Sequence, residues 1–315
     1  MSQLSLAAGD QLPLVTAPLL PVPARPGRDL TADFKAVWNT VDRDLGADKI
    51  AELRGYKVIL VPGFLSNAAT RPVNIFGMQV ELGRYFGEQM STLEGLGVEY
   101  KLSAIESEET PAYNAKIIAA DIEASDKPVL LLAHSKGGLD IMEALITRKD
   151  LLPKVKGIIT IQTPYFGSPI ADYILDGSVL GRLAARLLKS MGGTIDSLSS
   201  LDTRKRQAYY RDNFAAINEV VNTVPILTFG TWKDNVAYRL DTVLKPLRNA
   251  MLQMGFPNDG EVPVYSTILP GADFVKLEGV DHFVSVMRTG PILQYDRPRL
   301  TKTLLLLFLT DKHAK

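Results

Sequence analysis

Short runs of uninterrupted apolar residues alternate along the chain with longer stretches in which apolar positions recur every three or four residues. Residues 57–61 (KVILV), 98–102, 129–132 (VLLL), 157–161, 225–229 and 272–277 are of the first kind. They are too short for helices and end at turn-forming residues, so they predict buried strands. Segments of the second kind lie between them. LTADFKAVWNTVDRDLG places Phe34, Val37, Trp38 and Val41 on one helical face, with Thr31 as N-cap and Gly46 as stop. Residues 79–90 show the same spacing, TPAYNAKIIAADIEAS from Thr110 reads as a helix, and the apolar run 304–309 reads as a final helix packed on the core. Strand–helix alternation of this kind predicts an α/β fold, a mostly parallel central sheet flanked by helices on both faces.

Two regions depart from the rhythm. Residues 1–29 carry Pro13, Pro18, Pro21, Pro23 and Pro26, which block helix and central-strand pairing alike, so an extended N-terminal arm is expected there. Between Ser168 and Val224 the pattern is helical, with Leu180, Leu183, Leu187 and Leu188 followed by the turn-rich MGGTIDSLSS. An interval that long between neighbouring strands predicts a helical cap inserted at about 169–223 into a single domain of residues 30–315, the alternative being a crossover helix with a long connection. The sequence shows neither internal repeats nor low-complexity tracts.

Composition narrows the function more by exclusion than by indication. Of 315 residues 46% are hydrophobic, enough for a substantial core, and 35 basic residues balance 35 acidic ones, so no overall field favours nucleic acid as a partner. The absence of cysteine removes disulfides, a thiolate nucleophile and cysteine metal sites, and three histidines make a histidine-rich metal cluster improbable. The N-terminus lacks a basic segment followed by an apolar core, so it does not read as a secretory signal and a cytoplasmic location is expected. The run 304–309 is far shorter than the roughly 20 apolar residues of a spanning helix, so no transmembrane segment is expected. Oligomeric state is not legible in the sequence.

The chemistry-bearing stretch is PVLLLAHSKGGLD, residues 128–140. A buried strand runs into a helix through a cluster of small residues, and Ser135 sits at the turn. A sharp strand-to-helix turn lifts the apical side chain clear of the sheet and needs small neighbours two residues either side, which Ala133 and Gly137 supply. Lys136 is expected to be exposed, and its N–H, opening the helix, points toward charge developing at Ser135. An activated serine requires a base, and the base an acid that orients it. His134 adjoins the serine and is expected to pack or hydrogen-bond beneath the turn. His313 lies in the polar tail TDKHAK, where a solvated side chain is expected. His282, in LEGVDHFVSV after the last predicted strand, is the candidate base. Acid candidates between the last two predicted strands are Asp234, Asp241 and Asp259; Asp259, in the rigid turn PNDGEVPV, is favoured and Asp234 comes second. In VPGF, Gly63 permits close backbone approach and leaves the N–H of Phe64 as a second oxyanion donor.

Taken together, VPGF, AHSKGG, TPYFGSPIAD, NDGEVPV and DHF resemble bacterial lipases and esterases of the α/β-hydrolase fold, over most of the chain from about Tyr56 onward. The resemblance implies a serine hydrolase that cleaves carboxylic esters through an acyl-enzyme, with Ser135 as nucleophile, His282 as base and Asp259 as acid. Phe64 and Lys136 would supply oxyanion donors, and Ala133, His134, Gly137 and Gly63 would support the turn. An ester or lipid substrate and contact with a lipid interface would follow. Three departures are visible: Ala133 replaces the first glycine of the usual pentapeptide, Val61 replaces a histidine common before the glycine, and DHFVSV offers no calcium site, so neither metal nor cofactor is expected. The alternatives are a non-catalytic ligand-binding protein on the same fold, or a hydrolase of thioesters, amides or polyesters.

Overall fold

The computed structural model describes residues 20–64, 73–75, 78–80, 83–177, 181–182, 185, 198–233, 247–288 and 295–311. Its core is a six-stranded sheet of order β4-β1-β5-β6-β7-β8, every neighbouring pair parallel. The strands are β1 (Lys57–Val61), β4 (Glu99–Leu102), β5 (Val129–His134), β6 (Val155–Ile161), β7 (Ile226–Trp232) and β8 (Asp273–Glu278). A separate antiparallel pair comprises β2 (Val73–Ile75) and β3 (Met78–Val80). All six residues of β5 are buried, as expected of a central parallel strand covered on both faces.

Two packed groups of helices cover the sheet. One holds α1 (Thr31–Asp44), α3 (Gly87–Leu96) and the C-terminal helix α9 (Arg297–Asp311); the other holds α4 (Pro111–Glu123), α5 (Gly137–Thr147) and α8 (Phe214–Thr223). The described residues also form α2 (Ala47–Arg54), α6 (Pro169–Asp176), α7 (Thr203–Asp212) and a single helical turn at Val264–Thr267. On α9, Leu300 and 304–309 are buried, and Phe308 packs over Gly157 of β6 where a side chain would collide with its ring. The chain passes from β1 to β4 on one side and then crosses to β5 on the other, so a crevice opens at the carboxyl ends of β1 and β5.

Three expectations need correction. The helix expected at 79–90 begins only at Gly87; before it, the N–H groups of Gly83 and Phe86 bond to the carbonyls of Arg288 and Val286, and Phe86 adopts φ +54°. Non-local partners there replace the helical ladder. Thr31 is the first helical residue rather than the N-cap; Asp29 Oδ1 accepts from its N–H at 3.0 Å. Lys136, expected in solvent, is fully buried. Leu180, Leu183, Leu187 and Leu188, the alternative acids Asp234 and Asp241, and His313 lie outside the described residues. Of the expected arm, Asp29 bridges in parallel to Phe274 of β8, and Arg28 pairs with Asp273 at 2.7 Å.

Candidate active site

Ser135 leaves β5 with φ +52°, a left-handed conformation that costs a non-glycine residue about 1–2 kcal/mol and persists only where its surroundings over-determine it. They do so here. The Ser135 N–H donates to Ile161 O at 2.8 Å, and its carbonyl accepts from Gly138 N–H at 3.1 Å and Thr163 Oγ1 at 2.9 Å. The neighbours have no spare volume: a Cβ on Gly63 would stand 2.6 Å from Ser135 Cβ, and one on Gly137 would strike the carbonyls of Val61 and Pro62. Ala133 is buried, in register between Val61 of β1 and Thr160 of β6.

The loop after β8 crosses back over the carboxyl ends of the strands and brings His282 to the serine. His282 Nε2 stands 3.0 Å from Ser135 Oγ, and Nδ1 stands 2.8 Å from Asp259 Oδ2. Asp259 is held by its own turn: Oδ1 accepts from the N–H groups of Glu261 at 3.0 Å and Val262 at 2.7 Å, and its carbonyl accepts from His282 N–H at 3.1 Å. One carboxylate oxygen is thus spent on the turn and the other on the imidazole. Burial pulls the His282 pKa down, but the charges of Asp259 and Glu261, the Asp259 hydrogen bond and the charge of Asp281 outweigh it and raise the value to about 9. Among the described residues, no acceptor is paired with the N–H of Phe64 or of Lys136, the two expected oxyanion donors.

Beneath the turn lies a polar network of which sequence reasoning found Gly63, His134 and His282 but neither Tyr85 nor Gln162. Gly63 N–H donates to Tyr85 Oη at 2.9 Å, the Tyr85 hydroxyl bonds to His134 Nδ1, and His134 Nε2 donates to His282 O at 2.8 Å. Burial, and then the charge of His282, hold the His134 pKa well below its usual value. Neutral His134 with its proton on Nε2 satisfies every partner in the series. Gln162 extends the network to Asp281 O at 3.0 Å and receives Ser285 Oγ at 2.7 Å. The β1 loop, the serine turn and the histidine loop are thereby tied together. Tyr85 and Gln162 carry no local signal, since their partners lie far along the chain.

Lys136 directs its side chain into the protein, where Nζ meets both oxygens of Asp140, one helical turn on, at 3.1 Å. Asn114 donates to Asp140 Oδ2 at 2.9 Å, and the buried Arg206 of α7 adds positive charge nearby. Burial raises the Asp140 pKa, and Lys136 opposes that rise. Removing one member leaves an uncompensated charge. Lys136→Met is therefore expected to lower unfolding free energy by about 3–5 kcal/mol in urea titration, and Lys136→Met with Asp140→Leu to recover most of the loss. Tyr165 and Phe166 are buried in the β6–α6 connection, Phe166 donating its N–H to Ser266 Oγ at 3.1 Å and its ring packing edge-on to Tyr210.

No group of three or more His, Asp or Glu side chains among the described residues could hold a metal ion, and no described helix is long and apolar enough to cross a membrane. Neither a protein-family model nor a curated protein matches the chain. Solved structures do match. A metagenomic carboxyl esterase aligns with a TM-score of 0.59 and 22% identity over 82% of this chain and 75% of its own. The mature form of a Bacillus licheniformis lipase aligns at 0.56 and 21% identity, over 72% and 84%. A Legionella pneumophila phospholipase aligns at 0.51 and 16% identity, over 80% of this chain and 59% of that one. At such identities the likeness speaks to architecture, and together with the parallel sheet order it establishes that the chain has the α/β-hydrolase fold.

Proposed function

We propose that the protein is a serine hydrolase of carboxylic esters. The observation that carries the reading is the continuous hydrogen-bonded series Ser135 Oγ, His282 Nε2, His282 Nδ1 and Asp259 Oδ2, at 3.0 and 2.8 Å, at the carboxyl ends of the strands. In the proposed reaction Ser135 Oγ attacks the ester carbonyl as its proton passes to His282 Nε2. Asp259 orients the ring and stabilises the imidazolium, while the N–H groups of Phe64 and Lys136 receive the developing oxyanion. The C–O bond breaks as Nε2–H protonates the leaving alcohol, leaving an acyl-serine. Water then attacks the acyl carbon, giving its proton to Nε2; the tetrahedral species collapses, and the proton returns to Ser135 as the acid leaves. No metal or cofactor enters these steps.

The likeness to esterase and lipase structures supports an ester or lipid substrate. We read α6 and α7, between β6 and β7, as part of a cap inserted at about 169–223 into the single domain, with α8 returning to pack on α5, and residues 1–29 as an arm outside it. Leu175 on α6, Met254 and Tyr265 are exposed apolar side chains, the kind of surface that contact with a lipid interface would use. An assay of p-nitrophenyl esters of increasing acyl length, with and without an emulsion, tests the reading. Hydrolysis of neutral acyl esters is the expected outcome, with an emulsion preference marking a lipase and a preference for soluble short esters marking an esterase. Absence of hydrolysis across the series by folded protein would remove the proposal.

A further inference from the structure

Asp259 is not the only carboxylate on His282. Glu261, two residues further along the same turn, places Oε2 3.3 Å from His282 Nε2, the nitrogen that also faces Ser135 Oγ at 3.0 Å. Nε2 therefore faces two groups at once, the neutral hydroxyl of Ser135 at hydrogen-bond distance and the anion of Glu261 at ion-pair distance. We propose that Glu261 is a second carboxylate partner of the base, retaining the proton on Nε2 in the resting site and so setting the pH above which Ser135 can be activated. The proposal rests on the serine-hydrolase reading and adds a residue to it.

The position of Glu261 is built rather than incidental. Its N–H donates to Asp259 Oδ1 at 3.0 Å, and its carbonyl accepts a hydrogen bond from Ser168 Oγ at the start of α6. Both bonds use the backbone, so the side chain can be exchanged without undoing the turn. The carboxylate is half-buried, at 28% exposure, where solvent screens the contact only in part. Burial raises the Glu261 pKa first; the His282 charge opposes this, and the neighbouring Asp259 and Asp281 add to it.

The other groups facing the imidazole do not replace Glu261. Asp259 holds Nδ1, the opposite edge of the ring. Asp281 precedes His282, uses Oδ1 on the N–H groups of Phe283 and Val284, and has Lys233 Nζ 3.9 Å from Oδ2. The His134 ring lies with its centroid 4.6 Å away and is held neutral by burial. Lys136, next to the serine, turns its ammonium to Asp140. Ser135 brings a neutral hydroxyl. Among the described residues, only Glu261 brings an anion to the reactive edge.

The sign follows from the chemistry. His282 accepts the serine proton only when Nε2 is unprotonated, so reactivity rises with pH through the His282 midpoint. Removing the Glu261 charge lowers that midpoint. Glu261→Gln keeps the side-chain size and both backbone bonds, and is expected to move the midpoint down the pH scale by about 1–2, the usual effect of one opposite charge at this distance. The test follows the second-order rate of fluorophosphonate labelling from pH 5 to 10 in wild type, Glu261→Gln and Glu261→Asp, alongside NMR titration of the His282 ring. Expected in Glu261→Gln are a lower midpoint by both readouts and labelling at pH 7 that is faster by about ten-fold for each whole pH step the midpoint falls. Glu261→Asp, whose carboxylate is drawn back by one methylene, should give an intermediate midpoint. Unchanged midpoints in both variants would overturn the proposal. Absence of labelling in wild type at every pH would instead count against the serine-hydrolase reading, and the NMR titration would still decide whether Glu261 holds the His282 proton.

Discussion

Ser135→Ala is expected to lower turnover of a carboxylic ester by about 10⁶-fold while leaving the protein folded. The hydroxyl is the only group removed, and its hydrogen bond is to His282 Nε2 at 3.0 Å. The bonds that shape the turn belong to the backbone, from Ser135 N to Ile161 O and from Gly138 N and Thr163 Oγ1 to Ser135 O, and alanine keeps all of them. Steady-state kinetics with a soluble ester, checked by circular dichroism and thermal unfolding, separates loss of chemistry from loss of fold. Ser135→Gly adds a further control. Glycine occupies φ +52° without the Cβ penalty, so it should fold at least as readily as the alanine variant and be equally inactive. Substantial residual turnover in either variant would mean that another group attacks the ester.

Asp259→Asn is expected to lower kcat by about 10⁴-fold at nearly unchanged stability. The division of labour between the two carboxylate oxygens decides this. Oδ1 accepts from the N–H groups of Glu261 and Val262, and the asparagine carbonyl can take over both bonds. The amide NH₂ then replaces Oδ2 opposite His282 Nδ1 and can only donate. Nδ1 must become the acceptor, which moves the ring proton to Nε2 and leaves no lone pair for the serine proton. The imidazolium also loses its adjacent anion. Activity of the variant should recover in part as pH rises toward conditions where the serine ionises without help. A small loss of kcat would shift the role of acid to another carboxylate.

How much of this was legible in the sequence depended on whether the signal was local. The parallel sheet was legible because its strands are short apolar runs closed by turn residues, and β1, β4, β5, β6, β7 and β8 all lie within a few residues of the expected runs. The closeness of Ser135, Asp259 and His282 was legible for a related reason: each follows a strand end or sits in a turn whose residue types restrict the backbone. The helix expected at 79–90 failed because Gly83 and Phe86 find their hydrogen-bond partners at Arg288 and Val286, about 200 residues on, a competition that periodicity cannot register. Lys136 failed differently. A lysine after the serine reads as a solvent-facing residue, yet Asp140 stands one turn further along α5, the spacing at which an ion pair can be buried with its partner. Tyr85 and Gln162 were illegible, since they matter through contacts with Gly63, His134, Asp281 and Ser285, all distant in sequence from one or the other. Glu261 lies inside the motif NDGEVPV, and only the fold shows that its side chain reaches Nε2.

Mass spectrometry of the protein after reaction with a fluorophosphonate decides whether Ser135 is the nucleophile of an acyl-enzyme. The predicted result is one covalent adduct per chain on the peptide carrying Ser135, absent from Ser135→Ala and blocked by prior acylation with a slowly hydrolysed ester. An adduct on a different residue, or ester turnover by folded protein that forms no adduct, would mean that Ser135 is not the nucleophile.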